Sequence, residues 1–154
     1  QQFMIKTPLH LSPIVEDAIS FVKNKSDSSL PELKSDISAE ILVNANGEKI
    51  FQVFVNLIEN ACRFIQSDGL VEIKALNRSN KVQISVIDNG IGISDEHLPH
   101  IFERFYKVDK SRSDFGTGLG LAIVKHIINA HDGEVNVSSV QGEGSSFTII
   151  LPTA

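Results

Sequence analysis

Two glycine clusters contain the residues of this sequence whose types and spacing suggest chemistry. The first, DNGIGI at 88–93, follows an alternating apolar–polar stretch, and a carboxylate fixed at a strand end can accept a hydrogen bond from a ligand amino group. The second, FGTGLGL at 115–121, precedes an apolar helical pattern, and backbone N–H groups at a helix start can bind phosphate. Alone, each cluster is also compatible with a glycine turn or a flexible loop.

Amide side chains form a third feature, on the apolar helical stretch 48–65. Asn56 and Asn60 stand one turn apart in a polar stripe that also contains Gln52, Glu59 and Arg63. Asparagine lowers helix propensity and competes for backbone hydrogen bonds, so it is a poor choice for a face that only meets water. A solvent-facing stripe is the alternative interpretation, and the sequence slightly favours a ligand role.

A local basic segment lies between the two glycine clusters. Phe102 and Phe105 are followed by Lys107, Lys110 and Arg112, in a chain whose net charge is −5. Basic residues beside a candidate phosphate site indicate an anionic ligand, although a solvated loop is the competing view. The second glycine cluster lacks the Lys-Ser/Thr of a P-loop and the βαβ context of a dinucleotide site.

Size and composition limit the possible classes. The 154 residues, 42% of them hydrophobic, predict one domain over 1–154. The acidic balance disfavours nucleic acid as a partner. Cys62 is the single cysteine, so no intrachain disulfide forms and we expect a cytoplasmic protein with Cys62 as a small core residue. No run approaches roughly 20 apolar residues, so we expect no direct membrane contact from this chain.

The patterns predict the elements that must position these residues. We expect a first helix capped by Ser12, a loop over 26–33, a weak strand within 36–45 and a turn at Asn46-Gly47. The remaining predictions are a buried helix (48–65), strands (70–76 and 81–88), a short helix that starts at Ser94 and is broken near Pro99, a helix from Leu119 to Asp132-Gly133, and a closing hairpin (134–140 and 145–152). This order predicts an α/β two-layer sandwich, a mixed and mainly antiparallel sheet with helices on one face.

Four motifs in this order, NLIENACRF, DNGIGI, FERFYKVD and GTGLGL, resemble the ATP-binding catalytic domain of two-component sensor histidine kinases. That domain belongs to the GHKL superfamily, with gyrase, a DNA-mismatch repair protein and a heat-shock chaperone. The resemblance covers nearly the whole chain, and implies a Bergerat-type fold with ATP and Mg²⁺ as ligands.

The first motif is similar to the family's N box. The resemblance implies that Asn60 ligates Mg²⁺ through its amide oxygen and that Asn56 lines the phosphate side. Arg63 replaces the commoner lysine that contacts phosphate, and Phe64 replaces the usual tyrosine near the nucleotide.

The first glycine box places Asp88 on the adenine amino group and Gly92 against the base, with Gly90 and Ile93 in the same nucleotide-binding set. Ser145 stands where the family tends to have a hydroxyl near the adenine.

The remaining motifs concern the phosphates. Lys107 stands where the family usually has an arginine that reaches the γ-phosphate, so charge is kept and bidentate geometry is lost. The second glycine box contributes Gly116, Thr117, Gly118, Leu119, Gly120 and Leu121. Residues 106–117 correspond to the ATP lid.

One position separates kinase from ATPase in this superfamily. Members that hydrolyse ATP carry a glutamate base one turn before the metal-binding asparagine, and here that position is Asn56, which cannot take a proton. Glu59 is adjacent to Asn60, and we expect it to pair with Arg63 at i+4. The sequence favours phosphoryl transfer over hydrolysis; a GHKL-type ATPase and a catalytically silent nucleotide-binding module are the alternatives.

The resemblance also implies partners. The five histidines lack the family's phosphoacceptor context, so we expect the acceptor histidine on an upstream dimerisation domain, with residues 1–11 as the end of the linker. A response regulator, a homodimeric parent and a membrane-bound sensor whose cytosolic portion includes this domain complete the expectation.

Overall fold

The structure is a computed structural model that describes residues 4–25, 29–65, 68–107 and 119–154. Its elements in chain order are β1 (Thr7–His10), α1 (Leu11–Lys25), β2 (Glu32–Asp36), β3 (Leu42–Ala45), α2 (Gly47–Arg63), β4 (Leu70–Arg78), β5 (Lys81–Asp88), a short 3₁₀ helix (Leu98–His100), α3 (Gly120–Ala130), β6 (Glu134–Val140) and β7 (Gly144–Pro152).

The main sheet has the strand order β2-β4-β5-β7-β6. Strands β2 and β4 run parallel, whereas the β4–β5, β5–β7 and β6–β7 pairs are antiparallel. The predicted mixed, mainly antiparallel sheet is therefore confirmed. Since β5 is the central strand, its end at Asp88 is flanked by a strand on each side.

The core lies between the sheet and the three helices. Alternate residues of β4, β5 and β7 are buried, among them Ile73, Ile84 and Ile149, while Leu76 and Ile87 are more exposed. Helix α1 packs against α2, and α2 packs against α3. Each fully buried aliphatic side chain contributes about 1.5–3 kcal/mol, so the apolar faces fix the position of the polar stripe on α2. None of the helices in the described ranges has the length and apolarity needed to span a bilayer.

Helix α2 begins with a side-chain cap. Asn46 has extended backbone angles (φ −91°, ψ 118°), and its Oδ1 accepts a hydrogen bond from the Lys49 N–H. The predicted turn at Asn46-Gly47 was wrong, because an asparagine with this geometry satisfies a free N–H group of the first helical turn.

The first third of the chain departs from the sequence prediction in three places. Residues 7–10, assigned to the end of a linker, form β1 against β3, and Leu11, fully buried, begins α1 one residue before the predicted cap Ser12. Strand β2 occupies part of the predicted loop. Its sequence ELKSD buries only Leu33, so the strand depends on pairing with β4 and has no apolar alternation that would predict it.

The predicted helix from Ser94 is not an α-helix. The N–H groups of His97, His100 and Glu103 bond to carbonyls three residues earlier, and the 3₁₀ helix contains Pro99. Proline has no N–H group and disfavours a helical residue before it, which limits the segment to short turns. Ile101 anchors these turns in the core.

A fully buried histidine, His131, joins the N-terminal end of α2 to the C-terminal end of α3. His131 Nδ1 donates to the Ile127 carbonyl (2.8 Å), and its Nε2 accepts from the Asn46 backbone N–H (3.0 Å). His131 is therefore held as the neutral Nδ1-protonated tautomer. This contact sets where the two helices lie relative to each other at the end away from the polar stripe.

Candidate functional site

Asp88 ends the central strand and is almost entirely buried, with 8% of its surface exposed. Its Oδ1 accepts from the Gly90 N–H (2.9 Å), and the Ser145 backbone N–H lies near the carboxylate, since Ser145 is paired with Asp88 across β5 and β7. Burial raises the pKa of Asp88, and these two N–H groups partly offset that rise. A desolvated carboxylate with remaining lone pairs is a strong acceptor for a ligand N–H group.

The loop after Asp88 is attached to protein backbone on both sides. The Ile91 N–H donates to the Phe64 carbonyl at the end of α2 (3.0 Å), and the Ile91 carbonyl accepts from the Gly142 N–H (2.7 Å). The Asn89 side chain accepts from the Leu70 N–H (2.9 Å). The loop is therefore a fixed wall beside Asp88.

Two glycines of this loop are required by packing. A Cβ at Gly90 would collide with the Phe64 carbonyl, and one at Gly92 would collide with the Val140 carbonyl. Gly92 also has a φ of +74°, which side-chain-bearing residues rarely adopt. The fold alone thus explains both glycines, and the contact of Gly92 with a base stays a prediction.

A hydroxyl network joins this loop to the last two strands. Ser139 Oγ accepts from the Ile93 N–H (2.7 Å), donates to the Gly144 carbonyl (2.9 Å) and lies 2.9 Å from Ser145 Oγ. The network brings Ile93 and Ser145 together beside Asp88. The sequence analysis missed Ser139. The less exposed side of β6 carries Val135, Val137 and Ser139, and a serine in line with two valines could have indicated a hydrogen-bonding role.

The polar stripe of α2 contacts the start of α3. Asn56 Nδ2 donates to the Gly120 carbonyl at 3.3 Å. Asn60, one turn later, is half-buried, and no hydrogen bond joins its side chain to another residue of the described chain. Its side-chain amide oxygen thus has no hydrogen-bond donor among the described residues.

Unlike the loop after Asp88, the start of α3 has no described residue packed against its first glycine, Gly120. Leu119 is its N-cap residue and makes no side-chain cap hydrogen bond. A Cβ placed on Gly120 would touch no described atom within 4 Å. The first N–H groups of a helix have no partner inside the helix and attract anions. The N–H groups of Gly120 and Leu121 belong to this first turn, and the Asn56 side chain contacts the same turn through the Gly120 carbonyl.

Cys62 shows that Asp88 lies close to α2. The pKa of the Cys62 thiol is raised to about 11, by burial first and then by the negative charges of Glu59 and Asp88. The thiol is neutral at physiological pH and packs against the core, as expected from the sequence. The Ile91 N–H bond to the Phe64 carbonyl likewise attaches the loop after Asp88 to the end of α2.

Arg63, Glu59 and Lys107 are further residues to which the sequence analysis assigned a role or a contact. Arg63 is exposed at the end of α2, and Glu59 forms its ion pair with Lys25 (Nζ–Oε2 3.0 Å); the expected Glu59–Arg63 pair was wrong because α1 brings a lysine to the same carboxylate. Lys107 is half-buried and makes no ion pair with another described residue.

Several predicted site residues, Gly116, Thr117 and Gly118, lie outside the described residues, as does the predicted lid from 108 onward. A cavity of about 510 Å³ is lined by residues that include Phe64, Gly90 and Gly142, and Asp88 is not among them.

Comparison with known proteins identifies relatives of this arrangement. Residues 45–154 match the family described as histidine kinase-, DNA gyrase B-, and HSP90-like ATPase. The sensor-like histidine kinase SenX3 of Mycobacterium tuberculosis (strain ATCC 25618 / H37Rv) is 38% identical over 148 residues, which are 95% of this chain and 36% of that protein. The chain therefore spans about a third of the length of this curated relative.

Solved structures share the fold. The nucleotide-free catalytic domain of histidine kinase ThkA superposes with a TM-score of 0.83 at 26% identity, covering 97% of this chain and 96% of that one. Full-length ShkA in complex with AMPPNP gives a TM-score of 0.86 at 26% identity, covering 99% of this chain and 32% of that one. The α/β sandwich predicted from the sequence is thus the fold of histidine kinase catalytic domains.

Proposed function

Because this chain belongs to the family of histidine kinase-, DNA gyrase B- and HSP90-like ATPases, we propose that it binds Mg²⁺-ATP and transfers the γ-phosphoryl group to a histidine. The acceptor is a separate dimerisation and phosphoacceptor domain. The relatives carry the names of sensor histidine kinases, which supports this choice within the family.

One observation carries the choice of transfer over hydrolysis. Asn56 stands one turn before Asn60, and its Nδ2 donates to the Gly120 carbonyl. A general base must take a proton from the attacking water, and the side-chain amide of Asn56 is too weakly basic to do so. The chain therefore holds ATP without activating water at this position, and an external nucleophile is required.

Different described residues contact the two ends of the nucleotide. Asp88 accepts from the adenine amino group, with Ser145 beside it and the Asn89–Gly92 loop as the wall. At the other end, the N–H groups of the first turn of α3 bind the phosphates, and Lys107 contributes positive charge. Phosphoryl transfer needs mostly orientation and charge neutralisation from the protein.

The residues present fit magnesium. No cluster of three or more His, Cys, Asp or Glu side chains within the described ranges could hold a metal by itself. Mg²⁺ in nucleotide sites commonly takes one or two protein oxygens plus phosphate oxygens, and the amide oxygen of Asn60 is such a ligand. When bound, the ion supplies charge neutralisation at the phosphates.

The wider setting follows from the same proposal. A response regulator receives the phosphoryl group from the phosphoacceptor domain. The parent protein is a homodimeric, membrane-bound sensor kinase with this domain on its cytosolic side. This chain spans only about a third of SenX3, so that relative has length for further domains outside the matched region.

Incubation with γ-labelled ATP and Mg²⁺ tests the function. The isolated chain is expected to remain unlabelled and to release little phosphate, and to label an added cognate phosphoacceptor domain with an alkali-stable, acid-labile phosphohistidine. Rapid phosphate release without an acceptor would instead identify an ATPase, and strong self-labelling would identify one of the chain's own histidines as acceptor. An Asp88→Asn chain, which should bind ATP poorly, is the matched negative control.

A further inference from the structure

Ser139 lies at a junction of three hydrogen-bonding groups. Its Oγ is 2.7 Å from the Ile93 nitrogen, 2.9 Å from the Gly144 carbonyl oxygen and 2.9 Å from Ser145 Oγ. None of the four sequence motifs includes Ser139. The junction lies beside Asp88, because Asp88 and Ser145 are directly paired across β5 and β7.

Counting protons fixes the direction of each bond. A hydroxyl has one proton and two lone pairs. The Ile93 N–H can only donate and the Gly144 carbonyl can only accept, so the Ser139 proton goes to Gly144. The remaining lone pair of Ser139 then accepts the proton of Ser145. The Ser145 hydroxyl is thereby oriented with its proton towards Ser139 and only lone pairs left for other partners.

We propose that Ser139 is a positioning residue that makes Ser145 an acceptor-only group and so selects a 6-amino purine over a 6-oxo purine. The inference rests on the proposed function, in which the base lies at Asp88. An ionised carboxylate also only accepts. A 6-amino group offers protons to both acceptors, whereas a 6-oxo group offers none.

Burial strengthens this selection. Asp88 and Ser145 each have 8% of their surface exposed, so water cannot easily compensate a mismatched partner. Sites built from buried polar groups reject ligands that leave those groups unpaired. Without Ser139, the Ser145 hydroxyl can rotate and donate to a 6-oxo group.

Affinities for ATP and ITP test the inference, because inosine differs from adenosine in carrying a 6-oxo group and a protonated N1. The wild-type chain is expected to prefer ATP. Ser139→Ala should lower the ATP-to-ITP affinity ratio about three- to tenfold, the equivalent of one net hydrogen bond. Ser138→Ala is the matched control, since this neighbour on β6 is exposed, and it should leave the ratio unchanged.

A double-mutant comparison separates positioning from general loosening of the loop. In a Ser145→Ala background, Ser139→Ala should no longer change the ATP-to-ITP ratio, because the hydroxyl through which it acts is gone. If Ser139 only supports the loop at Ile93, Ser139→Ala weakens both nucleotides equally, and the unchanged ratio overturns the inference. A ratio that changes equally in both backgrounds also overturns it. Failure of the wild-type chain to bind either nucleotide contradicts the proposed function itself.

Discussion

The loop Gly90–Gly92 and the start of α3 at Gly120 use glycine for opposite reasons. At Gly90 and Gly92 a side chain would collide with backbone carbonyls of the protein, whereas at Gly120 it would meet no described atom within 4 Å. The first pair is therefore required by the fold, and Gly120 leaves room for something that is not part of the described chain. A glycine-rich pattern alone does not distinguish these two uses.

The hydrogen bonding of polar groups also differs between the loop after Asp88 and the start of α3. In the first loop, the Asn89 side chain and both backbone groups of Ile91 are bonded to other parts of the protein. At the start of α3, Leu119 provides no side-chain cap. The side-chain amide of Asn60 on α2 forms no hydrogen bond with another described residue. The first region is a wall held by the rest of the fold beside Asp88, while the second has polar groups without a partner among the described residues.

Gly92→Ala is expected to give the largest effect, on stability. A positive φ costs an alanine about 1 kcal/mol, and the collision with the Val140 carbonyl adds enough to lower the free energy of unfolding by about 3 kcal/mol or more. Urea unfolding measures the change. Gly142→Ala is the matched control, because Gly142 has φ +87° but open space around it, so it should lose only about 1 kcal/mol. Equal losses of unfolding free energy in both variants would contradict the close packing of Gly92 against the Val140 carbonyl.

Asp88→Asn should give the next largest effect, on binding. The isosteric amide can still accept from Gly90, but the charge-assisted bond to the adenine amino group is lost. Because such bonds contribute about 1.5–3 kcal/mol, ATP affinity should fall roughly 10- to 100-fold with the fold retained. Calorimetry measures it, with the exposed Asp36→Asn as control. Unchanged affinity would remove adenine from this end of the site.

The pH dependence of ATP binding tests the same carboxylate. Burial raises the pKa of Asp88 above its ordinary value of 3.8. As pH falls through that raised pKa, the carboxyl is protonated and loses its charge as an acceptor, so ATP affinity should begin to fall at a higher pH than for an ordinary aspartate. The wild-type chain should show this fall, and Asp88→Asn should not.

Gly120→Ala should move stability and binding in opposite directions. Alanine in place of a helical glycine adds up to about 1 kcal/mol of stability, since no described atom obstructs it. The new methyl group should obstruct phosphate and weaken ATP binding about tenfold, or about 1.4 kcal/mol. Thermal unfolding and calorimetry on the same protein give both values. Retained affinity would show that phosphate does not approach Gly120.

The smallest expected effect is on the stability of the fold at acidic pH, and it concerns His131 at the C-terminal end of α3. Burial lowers the pKa of His131 below its ordinary 6.5, with Lys6 lowering it further and the Ile127 carbonyl and Asp132 opposing the shift. The unfolded chain then binds more protons than the folded one, so stability is full above pH 6.5 and falls as pH decreases towards the lowered pKa. His131→Gln should flatten this dependence, whereas the exposed His126→Gln should preserve it; an unflattened profile would assign it to other groups.

Much of the fold could be predicted from local patterns. Strands β4 to β7 alternate apolar and polar residues, and α2 buries an apolar face, so their existence followed from sequence periodicity. Strands β1 and β2 were missed because their short, polar sequences depend on pairing with β3 and β4. The break near Pro99 was expected, but the short helix after Ser94 was not formed as an α-helix, because the segment makes only 3₁₀-type turns around that proline.

The sequence by itself determined the order of the motifs, the strand-end position of Asp88 and the shared helix face of Asn56 and Asn60, because these depend on neighbours within one or two turns. Only the tertiary structure decided which distant groups meet. Ser139 bonds to Ile93 across 46 residues, Lys25 to Glu59 across 34, and His131 to Asn46 across 85. Such contacts form when packing brings separate elements together, and no local pattern specifies them.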